Sequence, residues 1–220
     1  MTDYALCWCP ENEEIAEFII DPANEGRRFW QWGLEMAREL GAYLPEPCEV
    51  VVDYGCGVGR VLRHMPGTRR IGVDVSREML TIARTHDLTA ELVLTGGRSI
   101  PLEDGIADFV YSVLTLQHMD AMDVALVLRD VKRVLRPGGR CLLQFSAFGR
   151  NWGPNARMRR RPGVNWKGQR AGSGCTAHQT LKYTPDLVAQ LARDAEIAVI
   201  EIRQREPMAE HKYLDLWGQA

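Results

Sequence analysis

One acid and three glycines form the part of the sequence best suited to binding chemistry. The stretch VVDYGCGVGR, residues 51–60, is a β-branched run that contains Asp53 and continues into Gly55, Gly57 and Gly59. Glycines at a strand-to-helix turn let a ligand approach the backbone closely, and the N-terminus of a following helix favours a negative group. Such a turn, with a carboxylate just before it, is typical of a nucleotide-cofactor site.

Two kinds of nucleotide cofactor use a turn of this type, and the spacing of the glycines distinguishes them. A dinucleotide fingerprint needs G-x-G-x-x-G, or alanine at its last position, where the residue packs closely against the helix. Counting from Gly55, that last position is Arg60, which is too large for such packing. The alternative pattern D-x-G-x-G-x-G fits from Asp53 to Gly59 without exception. The spacing therefore disfavours a dinucleotide and favours the second pattern.

The elements around this turn alternate between strand and helix patterns. The last two strands are joined by a short turn and must be antiparallel, because a parallel crossover needs a dozen or more residues. The predicted fold is α/β, with a doubly wound, mostly parallel seven-stranded sheet and an antiparallel C-terminal hairpin strand, in one domain over residues 1–220. Strands are predicted at 49–55, 69–75, 90–96, 107–116, 140–148, 197–204 and 211–219, and helices at 27–43, 58–65, 76–85, 120–135 and 184–195.

Composition places the chain among ordinary globular proteins. It is 45% hydrophobic and 25% charged, and no apolar run approaches the roughly 18 residues that a membrane span needs. The acidic stretch MTDYALCWCPENEE lacks the basic and apolar regions of a signal peptide. These features predict a cytoplasmic protein without membrane contact. The Cys7-Trp8-Cys9 stretch lacks the paired spacing of zinc ligands, so no metal site is predicted.

Four segments, the first of which is the glycine turn itself, occur in an order and at spacings shared with a known family. They read DYGCGVG, GVDVSREML, IPLEDGIADFVYSVLTLQHM and LRDVKRVLRPGGRCLLQF. Together they resemble the class I S-adenosylmethionine-dependent methyltransferases, in particular the small-molecule group with a seven-stranded Rossmann-like core. The resemblance is close over residues 48–146 and holds in outline over 184–220. It implies S-adenosylmethionine as cofactor and S-adenosylhomocysteine as product.

The resemblance also implies which residues bind the cofactor. The three glycines of the turn would line its methionine part, with Asp53 near the ammonium group, although this acid could instead satisfy the loop. Asp74, at the end of the second strand, would accept hydrogen bonds from both ribose hydroxyls, which suits a carboxylate. Met79 would flank the adenine, or else pack in the core. The full predicted cofactor-binding set is Asp53, Gly55, Gly57, Gly59, Asp74, Val75, Met79, Gly97, Arg98, Leu114 and Gln117.

One departure from the family concerns the adenine. Many relatives place an acid after the third strand, where it holds the adenine amino group. This chain instead reads Gly96-Gly97-Arg98, with no acid before Glu103. The adenine is therefore expected to be held by backbone groups near Gly97 and Arg98, or by Ser99.

His118 is the candidate catalytic residue. It follows the fourth strand in the segment TLQHM, where the loop would face the acceptor. A hydroxyl acceptor needs a base to remove its proton, and an imidazole suits that task near neutral pH. The alternative is that His118 only caps or packs the next helix. Gln117 would contact either the methionine end or the substrate.

A basic segment suggests the character of the acceptor. From Phe145 to Thr184 the chain has no acid but eight basic residues, although its overall formal net charge is −2. We expect residues 147–184 to form a basic insertion that acts as a lid over a small anionic acceptor, and residues 1–47 to form an N-terminal helical cap. The eight basic residues are Arg150, Arg157, Arg159, Arg160, Arg161, Lys167, Arg170 and Lys182.

Two other interpretations of the basic segment stay open. Arginine interleaved with tryptophan suits single-stranded nucleic acid, so an RNA-modifying methyltransferase is the alternative function. The sequence pI near 6.2 and the acidic N-terminal region argue against a broad nucleic-acid footprint. The segment could also be a solvated loop whose charges only balance the acidic remainder of the chain.

Overall fold

The computed structural model describes residues 8–10, 13, 16, 27–86, 89–147, 181–205 and 212–220. Within these ranges the chain forms one seven-stranded sheet and four assigned α-helices. The strands are β1 (Val50–Tyr54), β2 (Arg69–Asp74), β3 (Glu91–Leu94), β4 (Ala107–Ser112), β5 (Leu135–Ala147), β6 (Ala198–Arg205) and β7 (Lys212–Gln219). The helices are α1 (Arg27–Gly41), α2 (Arg77–Thr85), α3 (Ala121–Val134) and α4 (Pro185–Asp194).

The strand order in the sheet is β3-β2-β1-β4-β5-β7-β6. The neighbours among β1 to β5 pair in parallel, whereas β7 pairs antiparallel with both β5 and β6. The predicted fold class is therefore confirmed, including the reversed strand in the C-terminal hairpin. The order changes direction between β1 and β4, and in open α/β sheets ligands bind beyond the carboxyl ends of the strands at such a point.

The central strands are covered on both faces, as their β-branched composition predicts. Val51 and Val52 are neighbours on β1 that point to opposite faces, and both are fully buried. All six residues of β4 are buried. One face is covered in part by α3, and α1 packs on the other. This double burial makes the sheet a rigid support for residues at the carboxyl ends of its strands.

Three helices begin at side-chain caps. Ser76 accepts a hydrogen bond from the backbone N–H of Met79 at the start of α2, and Asp120 does the same for Asp123 at the start of α3. Thr184 caps α4, whose first residue is Pro185. Each cap satisfies a backbone donor that the helix itself cannot pair. The predicted starts of these helices at Ser76, Asp120 and Thr184 thus agree with the structure.

The predicted helix over residues 58–65 is wrong. Only a 3-10 turn, Leu62–His64, is present there. The three glycines before it have positive φ angles of 80°, 53° and 75°, so the backbone is in the left-handed region at alternate positions. The N–H of Gly59 closes a turn on the carbonyl of Cys56, which leaves too few residues for an α-helix before Pro66.

Two predicted strand boundaries differ from the structure more than the others. β5 begins at Leu135, ahead of the Pro137-Gly138-Gly139 break, because Leu135 pairs with Ala107 and the break is absorbed in an irregularity of the β4–β5 ladder. β4 ends at Ser112 rather than at 116, since Leu114 has a positive φ of 60° that is incompatible with a strand. No helix in the described ranges is long and apolar enough to cross a membrane.

Candidate active site

A cleft opens at the carboxyl ends of β1, β2 and β4. Its volume is about 940 Å³ together with its open mouth. The glycine turn and the ends of β1 and β2 form one side, and the loop after β4 forms the other. Trp8 and Trp32, from the N-terminal part of the chain, complete the wall.

The glycine turn brings the backbone close to the cleft. The N–H groups of Gly55 and Cys56 both donate to the carbonyl of Val73, at 2.7 and 3.2 Å, which ties the turn to β2. A Cβ atom at Gly55 would lie 2.2 Å from the hydroxyl oxygen of Thr115. Since real Cβ atoms do not approach so closely, only glycine allows the turn to pack against the loop after β4.

Asp74 is held by the main chain at the end of β2. Its Oδ2 accepts from the N–H of Gly57 at 2.8 Å, and its Oδ1 accepts from the N–H of Ser76 at 2.9 Å. Burial raises the pKa of Asp74, and backbone hydrogen bonds from Ser76, Gly57 and Val75 oppose that rise. The carboxylate is therefore fixed at the cleft wall, and its two oxygens, with about four lone-pair sites between them, keep acceptor capacity for a ribose hydroxyl.

Asp53 lies in a different environment at the end of β1. It is 4% exposed, and its Oδ2 accepts a 2.8 Å hydrogen bond from the hydroxyl of Tyr111. The pKa of Asp53 is raised to about 8, chiefly by burial; the Tyr111 hydrogen bond lowers it, the nearby Asp74 raises it and Arg60 lowers it. A cation bound beside Asp53 would favour its ionised form. The site thus suits the ammonium group of an amino acid.

The region predicted to hold the adenine is built from β1, α2 and the loop after β3. Met79 is buried and lines the cleft, so it both packs in the core and faces the site. The hydroxyl of Tyr54 donates to the carbonyl of Gly97 at 2.8 Å, which fixes the loop after β3. Arg98 instead forms an ion pair of 2.6 Å with Asp123 on α3 and does not line the cleft.

His118 lies at the end of a second 3-10 turn, Leu116–His118, beyond β4. Its ring lines the cleft and meets the ring of Trp8 edge-on, with 5.1 Å between centroids. Its Nε2 is 3.2 Å from the amide nitrogen of Gln117. Because an amide nitrogen can only donate, this contact fits a neutral ring whose Nε2 accepts. The cleft is thus lined by an imidazole as well as by the two acids.

The loop before His118 is held by side chains from other elements. The N–H of Leu114, at its positive φ, donates to the side chain of Gln144 on β5 at 3.2 Å. The carbonyl of Leu114 accepts from the side chain of Gln117 at 3.3 Å. Gln117 is buried and does not line the cleft, so its side chain supports the loop from within the protein. A bond from Leu181 N–H to the Gln117 carbonyl, of 2.7 Å, joins the loop to the segment before α4.

The structure brings most of the predicted site residues together. Nine of the twelve line the cleft, namely Asp53, Gly55, Gly57, Asp74, Val75, Met79, Gly97, Leu114 and His118. The other three do not: Gly59 closes the turn, Arg98 pairs with α3, and Gln117 supports the loop. The roles of all twelve in binding or catalysis remain predictions.

Several residues of the cleft were missed by the sequence analysis. Tyr111 reaches Asp53 because the two are partners in the parallel β1–β4 ladder, a register that no local pattern reveals. Thr95 lines the site expected to hold the adenine. Arg60 lines the cleft beneath Trp32, whereas the sequence analysis used it only as an argument against a dinucleotide.

The predicted lid lies mostly outside the described residues. Of the basic insertion, only 147 and 181–184 are described, so neither the lid nor the alternative RNA-binding function is tested. Lys182 is half-buried and donates to the hydroxyl of Ser146 at 2.5 Å, and burial lowers the pKa of its amine. The predicted cap over 1–47 is likewise untested as a unit, although Trp8 and Trp32 from this region line the cleft.

Comparison with known proteins identifies the class of this domain. Residues 52–143, which span β1 to β5 and the whole glycine turn, match the family model described as a methyltransferase domain. A structure of an S-adenosylmethionine-dependent methyltransferase from Leishmania major superposes with a TM-score of 0.66 at 13% identity, over 87% of this chain and 72% of that one. Residues 52–143 are thus similar to a methyltransferase domain, and the described residues have the Rossmann-like α/β fold of that structure.

Two curated relatives each match just under half of the chain. An uncharacterized protein of transposon TN4556 from Streptomyces fradiae is 40% identical over 112 residues, which are 47% of this chain and 32% of that protein. A malonyl-[acyl-carrier protein] O-methyltransferase from Yersinia pestis is 35% identical over 102 residues, 46% of this chain and 38% of the relative. The chain therefore spans less than two fifths of the length of these relatives.

The match to a methyltransferase domain and the likeness to a solved S-adenosylmethionine-dependent methyltransferase agree with the predicted enzyme class and cofactor. Neither the methylated atom nor the acceptor follows from them.

Proposed function

We propose that this protein transfers the methyl group of S-adenosylmethionine to a small-molecule acceptor that carries a carboxylate or another anionic group. The observation that carries the proposal is the placement of two differently held acids along one cleft. Asp74 is fixed by backbone N–H groups and suits a ribose diol, while Asp53 is buried beside Tyr111 and suits an ammonium group. A ligand that carries both a ribose diol and an ammonium group matches this pair of acids.

The residues present fit the cofactor. The glycine turn leaves room for the backbone to touch it, and Met79, Thr95 and Gly97 line the part of the cleft beyond Asp74 where an adenine would lie. Bound there, the cofactor supplies a methyl group on a positively charged sulfur. The protein's part is to orient the acceptor for in-line attack and to exclude water, and such orientation can supply on the order of 7–11 kcal/mol of a barrier.

The acceptor is proposed to enter beside His118. This side of the cleft is lined by Trp8, Leu114, Thr115 and His118, which form a mainly apolar wall with one titratable ring. If the methylated group is a hydroxyl, His118 is the candidate to take its proton, on Nε2 and in place of the contact with the Gln117 amide; a carboxylate acceptor needs no such base. A requirement for the imidazole would therefore distinguish a hydroxyl acceptor from a carboxylate acceptor.

Two observations support an anionic acceptor. The first is the insertion between β5 and α4, which contains no acid in the sequence and eight basic residues. Lys182, the basic residue within its described part, is half-buried next to the loop that ends in His118. The second is the relative from Yersinia pestis, whose name gives malonyl-[acyl-carrier protein] as its acceptor, and a thioester-linked malonyl group bears a free carboxylate.

The proposal is tested by supplying metabolite extracts with methyl-labelled S-adenosylmethionine and identifying the labelled products by mass spectrometry. We expect labelled small molecules that carry an acidic group, with S-adenosylhomocysteine formed in equal amount. The Asp74→Ala variant serves as the matched blank, because its ribose contact is removed. Label that enters only RNA, or only the amino-acid side chains of proteins, would contradict the proposed acceptor class, and absence of cofactor binding would contradict the proposed function as a whole.

A further inference from the structure

Lys182 directs its amine toward a buried hydroxyl rather than only toward water. A lysine at a protein surface usually buries its carbon stem and leaves the amine in water. The Lys182 amine instead donates at 2.5 Å to the hydroxyl of Ser146, which is fully buried near the end of β5. In the part of the chain that the structure describes no carboxylate pairs with this amine, and burial lowers its pKa.

The segment that carries Lys182 is attached to the loop that ends in His118. The N–H of the residue before it donates to the carbonyl of Gln117 at 2.7 Å. On its other side, the hydroxyl of Tyr183 donates to the carbonyl of Met119 at 2.5 Å. Gln117 and Met119 are the two residues that flank His118. The neighbours of Lys182 therefore hold the loop on both sides of the imidazole.

The alternation of side chains along β5 places Lys182 on the same face of the sheet as part of the cleft wall. Leu142 pairs with Tyr111 of β4, and both lie in the core layer beneath α1. Side chains two residues apart share a face, so Gln144 and Ser146 follow Leu142 on that face. Tyr111 lines the cleft. The pair of Ser146 and Lys182 thus lies beyond Tyr111, toward the carboxyl ends of the strands.

An ammonium in this position suits an oxyanion. It has three donors, of which the Ser146 hydroxyl takes one. An anion beside it would favour the charged form that burial disfavours. Lys182 does not itself line the cleft in which the cofactor is proposed to bind. A group bound to its amine is therefore not the group that meets the methyl.

We propose that Lys182, oriented by Ser146, binds an oxyanion of the acceptor that is separate from the methylated group. This inference rests on the proposed function, because it assigns a further group of the same acceptor. It makes the substrate a molecule with two functional groups, one that receives the methyl beside His118 and a carboxylate or other oxyanion that does not. The product therefore keeps an acidic group.

The products of the unmodified protein provide the first test. With a metabolite extract and methyl-labelled S-adenosylmethionine, the labelled products should each keep a free acidic group, which anion-exchange chromatography and mass spectrometry detect. Labelled products without a remaining acid, such as simple methyl esters, overturn the inference and leave the proposed function intact. Absence of any labelled small molecule overturns both.

The second test compares the identified acceptor with a neutralised acceptor, in which the free acid is converted into its amide or ester. On the unmodified protein, KM should be about 10- to 100-fold higher for the neutralised acceptor, as expected for loss of a charge-assisted hydrogen bond. Equal KM values overturn the inference. This comparison needs no variant, so it decides the question even if substitutions at Lys182 prevent folding.

The third test removes the amine. Lys182→Met should raise KM for the identified acceptor about 10- to 100-fold, with kcat and affinity for S-adenosylhomocysteine within about threefold, because only binding of the acceptor is lost. KM for the neutralised acceptor should not change. Ser146→Ala should raise KM for the acid by a smaller factor, and Lys182→Arg, which keeps the charge, should retain the preference for the acid.

Lys132→Met is the matched control. Lys132 is likewise half-buried, but it lies in the last turn of α3, directly before β5 begins at the end of the sheet away from the cleft. This variant should leave KM unchanged for both forms of the acceptor. If Lys182→Met raises KM equally for both forms, or lowers kcat alone, Lys182 only supports the loop and the inference is overturned.

Discussion

The two sides of the cleft are held in place in different ways. On the β2 side, Asp74 is oriented by N–H groups of Gly57 and Ser76, so main-chain atoms within a short stretch of sequence define the site. On the β4 side, the loop from Leu114 to His118 is held by side-chain amides, one of them Gln144 on β5. One side is thus set by local backbone geometry, and the other by contacts between distant parts of the chain.

Because of this difference, binding of the cofactor and placement of His118 depend on different parts of the chain. Main-chain donors cannot be removed by a side-chain substitution, so the β2 side is altered mainly through the acid itself. The β4 side depends on several side chains and is therefore open to changes that shift His118 without touching the cofactor. Substitutions on the two sides should affect cofactor affinity and turnover separately.

The largest effect is expected on the β4 side. If the acceptor is a hydroxyl and His118 is its base, His118→Ala should lower kcat about 10²–10⁴-fold, with affinity for S-adenosylhomocysteine nearly unchanged. His64→Ala is the matched control, since His64 also ends a 3-10 turn after a central strand but does not line the cleft. Steady-state kinetics on the identified acceptor provide the measurement. A loss of less than about threefold would mean either that His118 only packs in the loop or that the acceptor is a carboxylate, which needs no base.

The β2 side should show its effect in affinity. Asp74→Ala should weaken S-adenosylhomocysteine and 5′-methylthioadenosine alike, by about 10- to 100-fold, because both ligands carry the ribose. Asp53→Asn should lower the affinity for S-adenosylhomocysteine but not that for 5′-methylthioadenosine, which lacks the amino-acid portion. Calorimetry measures both affinities, and Asp104→Ala, which changes an exposed acid away from the cleft, is the control. Unequal losses for the two ligands in Asp74→Ala would contradict the assignment of this acid to the ribose.

A substitution outside the cleft should disturb only the loop from Leu114 to His118. Gln144→Leu keeps a similar side-chain size but removes the amide that accepts from Leu114 and donates to Asp215. Turnover should fall about tenfold as the loop shifts, while affinity for S-adenosylhomocysteine stays within about threefold. Kinetics and calorimetry on the same preparation check this. An equal loss in both quantities would show that the two sides are not independent.

The smallest effect concerns pH and stability. Burial raises the pKa of Asp53 to about 8, whereas an unfolded aspartate titrates near about 3.9. Between these values the folded state holds a proton that the unfolded state has lost, so the contribution of Asp53 to stability falls as pH rises from about 4 to 8. Asp53→Asn removes this dependence but can still accept from Tyr111. The melting temperature of this variant relative to the unmodified protein should rise by at least about 3 °C between pH 5 and pH 8.5.

Other charged groups could mask this dependence, since Asp74, Arg60 and Tyr111 all interact with Asp53. Asp104→Asn provides the control, because that exposed acid is distant from them. The same difference in melting temperature at both pH values for Asp53→Asn would show that Asp53 is already ionised in the folded protein.

Much of the fold could be predicted because its signals are local. The capping residues Ser76, Asp120 and Thr184 mark helix starts through hydrogen bonds that span only three residues. The β-branched strands follow from composition, and the short join between the last two strands dictates their antiparallel pairing. The glycine turn misled the prediction of a helix over 58–65, because glycine composition does not specify that three alternate residues adopt positive φ.

The sequence by itself determined that Asp53, the glycine turn and Asp74 would meet at one edge of the sheet. Parallel neighbouring strands bring their carboxyl ends to the same edge, so residues at those ends come together whatever the loops between them. Only the tertiary structure decided what surrounds them. The register of β1 and β4 places Tyr111 on Asp53, and the approach of α1 places two aromatic rings on Arg60. Both depend on how separate elements align and cross, which no short stretch of sequence specifies.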